Sequence, residues 1–121
     1  MRKSIAAVVV AGALIASAAG ASAQSDTVVG VIKIGAWAQV LAEKCPELQV
    51  DWSRYGTMMT MAGLRPGDIE PGGKHGQLHG AFIREAINET ERSSKTVACA
   101  SGRSLYGPKG RNMPNLLVPK S

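Results

Sequence analysis

The chain has 121 residues, with 14 Lys and Arg against 9 Asp and Glu for a formal charge of +5, and only 4% of its residues are aromatic. That length holds one small domain and excludes a multidomain architecture. A core drawn mainly from Ala, Val, Ile, Leu and Met buries less apolar area per residue than a ring-rich one, so an added restraint is expected.

Residues 1–23 read as a cleaved signal peptide. Arg2 and Lys3 form a cationic start, Ile5 to Ala16 is an uncharged apolar stretch, and Ala21-Ser22-Ala23 offers an A-x-A site for cleavage before Gln24. The apolar stretch is shorter than the roughly 20 residues that cross a membrane, and no cysteine follows the cut to accept a lipid. The expected product is a soluble, exported chain, periplasmic or secreted, and not an integral membrane protein. Residues 24–121 would form a single small helical domain. Losing Arg2 and Lys3 lowers its formal charge from +5 to +3.

Thr27 to Lys44 is predicted as the first helix. Val31, Ile34, Ala38, Leu41 and Cys45 recur at steps of three and four, Asp26 is placed to cap it, and Pro46 ends it. The β-branched run Val28 to Ile34 also permits a strand start, but no partner strand is evident, so helix is preferred. Pro46 to Val50 reads as a short extended link. Asp51 then caps a second helix, Trp52 to Ala62, with Trp52, Tyr55, Met59 and Ala62 on one face. Gly63 suits the left-handed position after its end, with Leu64 folding back and Pro66 blocking continuation. Arg65 to Lys74, rich in Gly and Pro, is expected as a surface loop.

A third helix is predicted over Gly76 to Glu91, with Leu78, Phe82, Ile83, Ala86 and Ile87 on one arc. Ser93 or Ser94 caps a fourth that reaches Tyr106 and buries Ala98, Cys99, Gly102, Leu105 and Tyr106, stopping at Gly107-Pro108. The tail, residues 108–121, reads as irregular, with Leu116-Leu117-Val118 packing back. Cys45 and Cys99 are the only cysteines, so one intramolecular pairing exists. In an oxidising compartment it would act as a structural staple, contributing about 4 kcal/mol in the chain-entropy model. The expected fold is all-α: a small four-helix orthogonal or bundle-like domain held by one disulfide, with an irregular C-terminal tail.

Chemical motifs are sparse. His75 and His79, four apart, would share a helix face, a spacing that metal sites use. Two histidines leave a site incomplete, however, and His79 falls into the apolar arc of Phe82 and Ile83, where a packed histidine is expected. Met58, Met59 and Met61 offer thioethers of the kind that suit Cu(I). On a helix they are expected to point in different directions, with Met59 in the core. No G-x-S-x-G elbow, C-x-x-C pair or phosphate-binding loop occurs, and a bridged cysteine is no nucleophile. The chain therefore reads as non-enzymatic, with no catalytic or cofactor-binding residues and no resident cofactor. After Glu91 the charges are Arg92, Lys95, Arg103, Lys109, Arg111 and Lys120, with no acid. This basic third is a possible surface for an anionic envelope component or protein partner, but it lacks the clustering expected for nucleic acid.

Cys-Pro-Glu-Leu-Gln-Val at 45–50, Ala-Gly-Leu-Arg-Pro at 62–66, Ala98-Cys99, Leu105 to Gly110 and Pro114-Asn115-Leu116-Leu117 together resemble small exported helical proteins of alphaproteobacteria with one disulfide. The resemblance implies a scaffold and a Gram-negative export compartment, and it carries no functional residues. In architecture the chain is also similar to periplasmic acid-stress chaperones, which implies a holdase as an alternative reading. The first expectation is a binding module of unidentified ligand. A holdase and a copper or zinc binder are the alternatives.

Overall fold

The computed structural model describes residues 26–120. The expected signal peptide, with its cut between Ala23 and Gln24, lies outside the described residues.

Helix α1 runs over residues 26–44 and is the centre of the fold. Val31, Ala38, Leu41 and Cys45 of the expected stripe are buried, but so are Ile32, Ala36 and Val40 on the other side. A helix covered on most sides tolerates its β-branched run, because burial outweighs the small propensity deficit. Asp26, expected as the cap, is itself helical.

The expected link at Leu48 is in fact a strand. β1 (Leu48–Val50) pairs antiparallel with β2 (Leu117–Pro119), matching Leu48 to Pro119, Gln49 to Val118 and Val50 to Leu117. The all-α expectation fits in outline, since the fold is mostly helical with one short two-stranded sheet, but the tail is not irregular throughout. Leu116 and Leu117 are fully buried, and this burial holds the chain end in place. Flanking bonds extend the ladder: Lys120 N–H donates to the Glu47 carbonyl at 2.9 Å, and Asp51 N–H to that of Leu116 at 2.8 Å.

Helix α2 (Trp52–Met61) has both its expected ends. The Asp51 carboxylate accepts from the Arg54 N–H at 3.1 Å. At the other end Gly63 takes φ 81°, its N–H donates to the Thr60 carbonyl, and Leu64 N–H to that of Met59 at 2.8 Å. Tyr55 and Met59 face inward, whereas Trp52, expected with them, is 54% exposed and meets Tyr55 edge-on. A single-turn 3-10 segment, Pro66–Ile69, then leads to α3 (Gly76–Thr90), whose buried residues are Ala86 and Thr90. Ile87, expected inside, is exposed. Helix α4 (Lys95–Tyr106) is capped by Ser94, whose hydroxyl accepts from Val97 N–H at 3.1 Å. Its buried face includes Ala98, Cys99, Gly102 and Tyr106, as expected.

Cys45 and Cys99 form a disulfide that ties the end of α1 to the middle of α4. Close by, a Cβ placed on Gly102 would lie 3.1 Å from the Leu48 and Leu117 methyls, so α4 packs tightly on the sheet here and a side chain would make these leucines shift by a few tenths of an ångström. On the far side, Glu85 of α3 reaches α1 twice, accepting from Trp37 Nε1 at 3.1 Å and facing Lys33 Nζ at 3.8 Å.

Candidate functional site

Helix α2 turns Tyr55 and Met59 into the core. Its neighbouring flank carries Arg54, Thr57, Met58 and Met61, spaced so that they share one side of the helix. Across from this flank stand Val31 of α1 and Met113 of the segment that precedes β2. Between them lies an open cleft of about 720 Å³, in the size range of small-molecule sites. Three of its lining side chains are methionines, and they come from two separate elements. Met61 is 84% exposed, so the fold leaves a large apolar side chain uncovered at the cleft edge.

The expectation that the α2 methionines diverge holds for Met59 alone. Met58 and Met61 are three residues apart and reach the same cleft. Arg54 ties the two walls together: its Nε donates to the Pro114 carbonyl at 2.8 Å, next to Met113. Among the described residues it is the only cation lining the cleft, and Asp51 is the only acid. The Asp51 carboxylate serves as the α2 cap.

Beside two smaller cavities, polar side chains already have partners within the protein. One of about 430 Å³, beside Ile34, Trp37 and Tyr106, has both its Lys33 ammonium and Trp37 indole directed at Glu85. Burial pushes the Tyr106 phenol up, against a lowering hydrogen bond with Asn112. The other, about 300 Å³, lies beside Ser101 and Ser104, and Arg111 Nη2 donates to the Ser104 hydroxyl there at 3.4 Å.

The histidines do not assemble a centre. His75 is the N-cap residue of α3, and its carbonyl accepts from the His79 N–H at 3.0 Å. Burial holds the His79 imidazole below its ordinary pKa, favouring the neutral ring. Among the described residues no group of three or more His, Cys, Asp or Glu is arranged to hold a metal. The basic third is also partly engaged, since Arg103 pairs with Glu47 at 2.6 Å. The Arg65 to Lys74 loop is braced internally: Arg65 N–H donates to the Asp68 carboxylate at 3.0 Å, and Gly73 N–H to the Glu70 carbonyl at 2.8 Å.

Arg54 and Met113 were not among the residues that sequence reasoning singled out. The spacing of Arg54, Thr57, Met58 and Met61 signals a second α2 face, whereas nothing local to Met113 links it to α2. Among the described residues no helix is long and apolar enough to cross a membrane. Comparisons with protein-family models, curated proteins and solved structures gave no match to this chain.

Proposed function

We propose that the chain is an exported, non-enzymatic binding module that holds a small ligand in the cleft of Met58, Met61 and Met113. In this reading residues 1–23 direct export and are removed. In the same reading the helices form an orthogonal, bundle-like scaffold. The Cys45–Cys99 disulfide supports export, because oxidising compartments sustain such bonds. The observation that carries the binding role is Met61: an uncovered apolar side chain at the edge of a cleft that two further thioethers line. Methionine walls adapt to ligands of different shape.

A ligand-detected NMR screen of small apolar fragments against the wild type and Met61→Glu tests this. The expected result is a set of fragments that bind the wild type and lose binding in the variant, with thermal stability unchanged. Fragments that bind both chains equally would place recognition elsewhere.

The same three thioethers favour a second reading, a site for a soft cation such as Cu(I). The nearby Arg54 charge opposes it. Competition against a chromogenic Cu(I) chelator decides: failure to compete at micromolar protein removes this reading.

A further inference from the structure

We infer that the ligand of this cleft is a small single-chain amphiphile with one acidic group, its chain on Met58, Met61 and Met113 and its acid at Arg54. The inference rests on the cleft being a binding site at all. Its basis is the charge pattern of the lining. Among the described residues Arg54 is the one cation there, and it forms no ion pair, unlike Lys33 with Glu85 and Arg103 with Glu47. Its Nε is committed to the Pro114 carbonyl, which anchors the head beside Met113 and leaves the two Nη groups to meet an acid end-on.

The other charge in the lining, Asp51, accepts from the Arg54 backbone N–H. Its carboxylate therefore serves the helix end, while the Arg54 head lies beside Pro114. A single guanidinium balances the one negative charge of a carboxylate and matches its geometry. The rest of the lining is largely apolar or hydroxyl-bearing, with Val31 and Ala62 beside the thioethers. An unbranched chain can lie along such a wall without burying a polar group unpaired. A volume of about 720 Å³ suits one such chain better than a two-chain lipid.

The test is calorimetric, on the chain purified as an exporting cell processes it, at neutral pH and below micellar concentrations. Decanoate, decanol and decyltrimethylammonium are titrated into the wild type, Arg54→Gln and Arg54→Lys, with circular dichroism confirming that each variant is folded. Decanoate is expected to bind about tenfold tighter than decanol, a gap that one charge-assisted hydrogen bond supplies. Arg54→Gln should close the gap and Arg54→Lys should restore part of it. Decanol binding as tightly as decanoate, or a gap that survives Arg54→Gln, overturns the acidic-ligand inference while leaving the cleft as an apolar site. If none of the three binds, the cleft reading itself fails. A dimer that Met61→Glu dissolves would assign the cleft to a second copy of the chain and overturn the inference.

Discussion

Tyr55 and Gly35 show how closely α1 and α2 are fitted. The Tyr55 ring lies so near the Gly35 backbone that a Cβ there would collide with Cζ and Oη, and the hydroxyl donates to the Val31 carbonyl at 2.9 Å. Gly35→Ala should therefore destabilise the fold by about 2 kcal/mol through overpacking, read as a lower urea midpoint. An unchanged midpoint would mean that the two helices can separate freely. Burial also pushes the Tyr55 phenol up to about 12 from its ordinary 10.0. A pKa raised in the folded state gives stability that is complete below pH 10 and lost as pH climbs toward about 12. Denaturant melts across that window should show the loss, and Tyr55→Phe should flatten it. A variant curve as steep as the wild type's would assign the alkaline loss to other groups.

At the scale of elements, both ends of α2 and the start of α4 were legible, while the start of α1 and the strands were not. Asp51, Gly63 and Ser94 act locally, each on backbone groups within a few residues, so residue type and position suffice to place them. Gly63 holds φ 81°, a region costly for any residue with a Cβ. Gly63→Ala should cost about 1 kcal/mol, measured by thermal melting, and no loss would show that the α2 end relaxes. The strands have only three residues each, and Leu48 meets the chain end across most of the sequence. No local period marks such a pair. Their pairing follows from the burial of Leu48 and Leu117 against α4 and of Leu116 in the core, a tertiary effect. The cleft divides in the same way, with Arg54, Met58 and Met61 readable as one helix flank and Met113 brought there only by the folded tail.

For the whole molecule, the disulfide is the main covalent restraint, and it lies within the core. It closes a separation of 54 residues, and both sulfurs are buried where α1 and α4 meet. The ion pairs join half-exposed side chains and contribute little. Replacing both cysteines by Ala should lower the unfolding free energy by about 4 kcal/mol in the chain-entropy model. A loss below about 1 kcal/mol would mean that the core alone sets the stability. The remaining feature at this scale is the cleft, where two distant segments bring together the half-buried Met58 and Met113 and the exposed Met61. Methionine-methyl NMR of the labelled chain, titrated with decanoate, tests the central claim most directly. The account predicts that the Met58, Met61 and Met113 methyls shift together and saturate while Met59, inside the core, stays fixed. Shifts confined to Met59, or spread evenly over all four, would contradict it.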